Sequence, residues 1–282
     1  MSIRIFTDSA SDITREELEE LQVELIAMPL QCGEETYVDD KTTPVETFWQ
    51  MLLDGVNIKT SLPSPDTFVQ KFEAAKAAGD EVVCILIASK LSGTYQGAML
   101  AKQIVDYDGI HVIDAGHAAA SVAEKMLVIA ACRMRDQGCT AGEIVQKVEE
   151  LRSRVRLIAC LDTLEYLARG GRLPAAVASI GTKLQVKPII VFGEEGEIQV
   201  AKKCMGGKRA MRDMTAMVTE RGIDPDYPVI PIFAQNDGNC QGYVASLENA
   251  GFEGKMQTPQ GIGATIGSYI GPSAYGIVFV EK

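Results

Sequence analysis

The chain has 282 residues and a formal net charge of −11, from 27 Lys and Arg against 38 Asp and Glu. That charge excludes a nucleic-acid binder, whose affinity comes mostly from neutralising phosphates. A hydrophobic fraction of 46% is enough to bury a sizeable core, and two histidines leave little room for His-based metal or triad chemistry.

The first half alternates strand and helix signals. Ile3–Thr7 reads as a short strand, and Thr14-Arg15-Glu16-Glu17 is a capping box opening a helix. Val23–Leu30 is a second strand. Pro44 and Pro65 each sit at a helix start, where a missing N–H costs nothing; the second helix runs to Gly79. Val82–Ile87 is a continuous apolar run, the pattern of a strand buried on both faces of a parallel sheet. Ile110–Ile113 is another strand. Two helices follow, the second with Thr140 and Glu143 as a capping box and Ile144, Val148 and Leu151 on one stripe.

Near Val155 the texture changes. Val155–Leu161 reads as a strand, followed by a short helix that breaks at Gly170-Gly171. Pro188–Phe192 and Ile198–Lys203 flank Gly193-Glu194-Glu195-Gly196, a hairpin signal. Helices at Lys208–Glu220 and Asn239–Ala250 alternate with strands at Val229–Ala234 and Tyr275–Val280. The fold class expected is α/β in two closely packed domains, a parallel-sheet unit over 1–158 and a mixed-sheet unit over 159–282.

The longest apolar runs are far short of the roughly 18 residues needed to span a membrane, so no integral membrane segment is expected. The seven cysteines are scattered without a C-x-x-C, as expected for reduced core thiols in a cytoplasmic protein.

Three segments share a layout in which a strand ends in small hydroxyl residues and a helix follows: Thr7–Asp12, Thr60–Ser64 and Ser89–Thr94. In open α/β sheets ligands bind outside the carboxyl ends of the strands. Hydroxyls and bare N–H groups at a helix start suit an anion, and Gly93 allows close backbone approach. Ser64 and Thr94 also read simply as N-caps. Asp8 and Asp12 have metal-ligand chemistry, but caps and turn bonds account for them more simply. No G-x-S-x-G and no G-x-x-x-x-G-K-[ST] occurs; Gly261-Ile262-Gly263-Ala264-Thr265-Ile266-Gly267 misses the dinucleotide spacing by one residue. His111 lies inside a strand, whereas His117 follows one. Arg169 and Arg172 surround a glycine pair that lets Arg172 swing toward a ligand or partner.

Taken together, Thr7-Asp8-Ser9, Thr60-Ser61-x-Pro63-Ser64, Leu91-Ser92-Gly93-Thr94-Tyr95-Gln96, Asp162–Leu167 with Gly171-Arg172, Lys187-Pro188-Ile189 and Gly271-Pro272 closely resemble the DegV family of bacterial fatty-acid-binding proteins. The resemblance covers essentially the whole chain. It implies two α/β domains with one fatty acid in an apolar tunnel between them. It also implies a non-catalytic carrier with no cofactor or metal beyond that ligand, whose partner is an ATP-dependent fatty-acid kinase serving phospholipid synthesis. Carried over by motif, Thr60, Ser61, Ser92, Gly93 and Tyr269 are the expected fatty-acid contacts, and Arg169, Arg172 and Lys203 the expected docking residues. Three positions depart from the family pattern: Tyr269 stands for a histidine near the carboxylate, Met205 for an arginine linked to docking, and Ala115 for a serine. Two other readings remain, an enzyme acting on a small phosphorylated or carboxylate metabolite and a lipid sensor or store without a kinase. The cavity wall discriminates the first, since a lipid needs an apolar one.

Overall fold

The computed structural model describes residues 2–173 and 185–282. Within them the strands form three sheets. The first is wholly parallel, in the order β2 (Val23–Ile26), β1 (Ile3–Asp8), β6 (Glu81–Leu86), β7 (Ile110–Asp114). Side chains alternate across it. Phe6, Val82, Cys84 and Leu86 pack on α3 (Pro65–Ala78) and α4 (Thr94–Val105). Ile5, Val83 and Ile85 face α5 (Ser121–Asp136) and α6 (Ala141–Arg152) on the other side. Burial on both faces explains the unbroken apolar run of β6.

The Val23–Leu30 strand of the sequence reading is two strands. The chain leaves the parallel sheet at Ala27, and β3 (Met28–Cys32) joins β4 (Glu35–Asp39) and β5 (Ile58–Thr60) in a small antiparallel sheet. β4 escapes the sequence reading because it is mostly solvent-facing, whereas the strand expected to end at Thr60 is β5, only three residues long. Both capping boxes form. Thr14 Oγ1 accepts from Glu17 N at 3.2 Å at α1 (Arg15–Glu20), and Thr140 Oγ1 accepts from Glu143 N at 3.3 Å at α6.

The six-stranded sheet is mixed, in the order β10 (Ile198–Met205), β9 (Val186–Phe192), β8 (Val155–Cys160), β13 (Tyr275–Val280), β11 (Ile230–Phe233), β12 (Gln260–Gly261). The expected boundary after residue 158 falls inside β8. One face of this sheet, with Ile158, Ile189, Ile277 and Phe279, packs on α8 (Gly207–Arg221) and α9 (Gly238–Leu247). The other face, with Leu157, Ile190 and Val278, joins the core that contains α5. Helix α5 is therefore enclosed by both sheets, and even its Glu124 and Lys125 are buried.

One late element crosses back. Helix α10 (Ala264–Ile270) packs on α2 (Val45–Leu53), α7 (Glu165–Arg169) and β5. Its near-miss glycine pattern has a packing reason: a Cβ on Gly267 would lie 2.4 Å from Trp49 Cη2, and one on Gly271 would lie 2.5 Å from the Tyr166 ring. Gly267→Ala is expected to lower stability by about 1–3 kcal/mol, because the buried indole has little room to move. A urea midpoint unchanged from wild type would refute that packing role.

Candidate functional site

The site begins at the ends of two elements. Thr60 closes β5, opposite Leu30 of β3, and Ser61 N continues the ladder to Pro29 O at 3.0 Å. After β6 the chain tightens, with Leu91 N and Ser92 N both donating to Ala88 O, at 2.9 and 3.2 Å. Gly93 is the N-cap of α4, and no side chain caps that helix in the usual way. Thr94 is inside the helix and buried, not its cap; its hydroxyl lies 2.8 Å from Ser92 Oγ. Ser64, by contrast, caps α3 by accepting from Asp66 N at 3.3 Å.

Tyr269 of α10 reaches across to this point. Its Oη lies 2.6 Å from Thr60 Oγ1. A Cβ on Gly170 would be 2.3 Å from the Tyr269 ring, so only glycine leaves the ring its place. The Arg172 guanidinium stacks 4.9 Å from the ring centroid, in cation–π range. Arg172 Nε donates to Leu91 O at 3.1 Å and Nη1 to Gly170 O at 2.6 Å, which fixes the guanidinium beside Ser92.

Thr60, Ser92, Arg172 and Tyr269 line one cavity between the two large sheets. Most of its remaining wall is apolar: it includes Ile87, Leu91, Leu167, Ile190, Phe192 and Ile266. Among the described lining residues Arg172 is the only charged one. A second depression of about 680 Å³ lies on the far side of the Thr60–Tyr269 pair and adds Lys59, Tyr166 and Arg169. The hydroxyl pair thus stands between an apolar chamber and a basic vestibule.

The expected contacts divide accordingly. Thr60, Ser92 and Tyr269 are brought together. Ser61 and Gly93 are exposed neighbours of Thr60 and Ser92 and do not line the cavity. Arg169 sits in the vestibule, paired with Glu165 at 3.1 Å. Lys203 is elsewhere: it is exposed on the edge strand β10, roughly 15 Å along the strand from the cavity residue Ile198. Arg172, read as a docking residue, is also a cavity residue, and the glycine pair before it was the signal for that. Of α10, the sequence signalled Tyr269 alone, through the resemblance; its other lining residues Thr265, Ile266 and Ile270 left no signal, because they are brought in from a distant part of the chain.

A polar cleft lies beyond the hairpin turn at 193–196, lined by Lys90, Asp114, His117, Arg152, Arg156 and Glu194 among others. Its groups are already engaged. Asp114 Oδ1 accepts from Gly116 N at 2.8 Å and Ser89 N at 3.1 Å, and Lys90 pairs with Glu195 at 2.7 Å. Burial, and then the Arg156 guanidinium 3.3 Å from Nδ1, hold the His117 imidazole below its usual range. His117 does not line the apolar cavity.

Among the described residues no helix is long and apolar enough to cross a membrane. The sequence pattern of the DegV family ("Uncharacterised protein, DegV family") matches residues 2–282. A DegV domain-containing protein of Caldanaerobacter subterraneus is 33% identical over 280 residues, 99% of each chain. Among solved structures, a DegV fatty-acid-binding protein from Bacillus subtilis superposes with a TM-score of 0.84 at 27% identity, covering 100% of both chains. A stearic-acid-binding protein from Eubacterium ventriosum gives 0.86 at 26% identity, covering 100% of this chain and 99% of its own. With its mixed α/β fold and a family match over nearly its whole length, this chain belongs to the DegV family.

Proposed function

We propose that this protein binds a long-chain fatty acid, with the acyl chain in the apolar cavity and the carboxylate at Thr60, Ser92 and Arg172. The observation that carries the reading is the segregation of the wall: one end holds two hydroxyls, a phenol and a guanidinium, and the rest is mostly aliphatic. Burying a C16 chain yields on the order of 10 kcal/mol gross, at roughly 0.8 kcal/mol per methylene, before ordering costs. A carboxylate taken from water must be hydrogen-bonded or paired. Thr60, Ser92 and the fixed guanidinium supply both kinds of partner. The structural neighbours from B. subtilis and E. ventriosum are themselves fatty-acid binders, which supports the same reading.

The vestibule with Lys59, Arg169 and Arg172 suits a further step, presentation of the carboxylate to a separate ATP-dependent kinase through the Thr60–Tyr269 opening. With Lys203 well along β10 from the cavity, that docking reading rests on Arg169 and Arg172. The rival, catalysis on a small polar metabolite, wants convergent acids and bases in a polar pocket. The apolar wall does not supply them, and the groups of the polar cleft are occupied with one another.

Native mass spectrometry of the purified protein should show a bound long-chain acid, or stoichiometric uptake after delipidation. Recovery of lipid-free protein that takes up no C14–C18 acid would defeat the reading.

A further inference from the structure

Directly behind the cavity wall lies a buried acid cluster with, among the described residues, a single close counter-charge. Asp8, at the end of β1, accepts from Ile87 N at 2.9 Å and Ala10 N at 2.8 Å. Asp12, in the turn after it, accepts from Ser121 Oγ at 2.5 Å and Gly263 N at 2.9 Å. Asp39, at the end of β4, accepts from Thr265 Oγ1 at 2.5 Å and from Lys41 Nζ at 2.9 Å. Glu124 of α5 completes the group, its Oε1 bonded to Thr7 at 3.2 Å and its Oε2 without a hydrogen-bond partner. Lys41 is the shared cation, whereas Lys125 of α5 is taken by Glu17 of α1 at 3.0 Å. The Cys84 thiol of β6, pushed up by burial and by the charges of Asp8 and Glu124, is the other titratable group near them, and α10 brings no charged side chain.

The partners of these acids belong to the cavity. Ile87 and Thr265 line it, as does Ala120, the neighbour of Ser121. Gly263 and Thr265 form the start of α10, which also contributes Ile266, Tyr269 and Ile270 to the wall.

We propose that this cluster is a pH-sensitive latch on the cavity, with Asp12 as its positioning residue. Protonated, it keeps the first turn of α10 seated; ionised, it favours a state in which α10 lifts and the wall opens. The consequence for fatty-acid exchange rests on the function proposed above.

Gly263 lies flat on the acids: a Cβ there would be 2.6 Å from Asp12 Oδ1 and 3.5 Å from Lys41 Nζ. Lifting that residue uncovers Asp12, which the closed structure leaves 6% exposed. The same motion therefore opens the cavity and lets water reach the carboxylate. Hydration favours the ionised form, so ionisation favours opening. Burial pushes Asp12 up to about 6 and Asp8 up to about 7, and raises Glu124 as well. Lys41, the Ser121 hydroxyl and Gly263 N–H only partly offset burial at Asp12. The latch thus turns over between mildly acidic and neutral pH.

The joint also stores backbone strain. Asp12 (φ 54°), Lys41 (φ 66°), Ala119 (φ 55°) and Ser121 (φ 61°) hold left-handed or related conformations without being glycine. Strain held by surrounding contacts is released when they part, which suits a two-state element.

The test uses the full chain without ligand. Hydrogen exchange of the α10 amides, corrected for the intrinsic rate, is followed from pH 4.5 to 8, together with emission of Trp49, which packs on Gly267. Protection should fall about tenfold or more across that range, since opening is coupled to a pKa difference of about two units. Asp12→Asn mimics the protonated form and should hold its protection at every pH. Fatty-acid release should quicken in wild type relative to Asp12→Asn as pH rises; both proteins carry the same acid, so its own titration cancels. Wild-type protection that is flat with pH overturns the latch, and the wild-type measurement needs no variant to fold. A pH-dependent α10 in a protein that takes up no lipid retains the latch and defeats only the fatty-acid reading.

Discussion

Thr60→Ala combined with Ser92→Ala should lower long-chain fatty-acid affinity by about 100-fold or more, with little change in stability. Hydrogen bonds to a charged group contribute roughly 1.5–3 kcal/mol each, and each 1.4 kcal/mol is tenfold in affinity. Both hydroxyls are half-buried at the cavity, and their present partners are other hydroxyls, Tyr269 at 2.6 Å and Thr94 at 2.8 Å. Both can therefore rotate a proton toward an incoming carboxylate. Ser64→Ala is the control. Its exposed hydroxyl caps α3, so its loss costs up to about 1 kcal/mol of stability and leaves affinity unchanged. Isothermal titration with palmitate on delipidated protein makes the comparison. An affinity within threefold of wild type for the double variant would remove these hydroxyls from the head-group site.

The second large effect is on stability, and its sign is unusual for carboxylates. Asp8 and Asp12 are held up to about 7 and about 6, against 3.8 in the free side chain, and burial is the main cause. Between pH 4 and 7 the native protein keeps protons that the unfolded chain gives up. Stability therefore falls as pH rises through that window, and the loss is complete above the native values. At 1.36 kcal/mol per unit, and allowing for the shared Lys41, the fall amounts to about 3–5 kcal/mol. The opposite behaviour, from Asp80 held down to about 2 by Ser2 and Arg4, is confined to pH below about 4. The urea midpoint should thus peak near pH 4 and drop by pH 8.

Asp12→Asn should remove part of that slope and be more stable than wild type at pH 8 by about 1–3 kcal/mol. The amide fits: its oxygen can keep the Gly263 N–H, its NH₂ can donate to Ser121 Oγ, and asparagine tolerates the left-handed φ of 54°. Lys41 retains Asp39 at 2.9 Å. A variant less stable than wild type at pH 8 would show that ionised Asp12 contributes to the fold and does not burden it.

The two effects share an origin. The acids expected to lower stability at neutral pH sit directly under the wall of the apolar cavity. A fold optimised only for stability would replace them with neutral groups, as the Asn substitution does. Their position next to four strained residues and the first turn of α10 is what ties their cost to the cavity.

The sequence by itself determined whatever depends on near neighbours. The capping boxes at Thr14 and Thr140, the doubly buried strand at Val82–Leu86, the hairpin at 193–196 and the hydroxyl-rich turns at Thr60 and Ser92 are signals spanning a few residues, and each appears where it was read. Composition excluded nucleic acid, and six motifs in order pointed to the family. Tertiary structure decided everything that depends on distant pairs. The switch of sheets at Ala27 follows from partners that β3 finds in β4 and β5. The cavity depends on Thr60 meeting Tyr269 across 209 residues, and the acid cluster on Asp12 meeting Gly263 across 251. Asp8 and Asp12 look like ordinary turn caps in the sequence; Asp8 does cap its turn through Ala10 N, whereas the Asp12 carboxylate bonds across the fold to Ser121 and Gly263, and enclosure by β6, α5 and α10 makes both buried acids with raised pKa values. The scarcity of histidine, which first limited the chemistry, also takes its meaning from the fold. Tyr269 meets Thr60 at one end of the cavity, and the positive charge beside that pair belongs to Arg172, brought in from a different helix end.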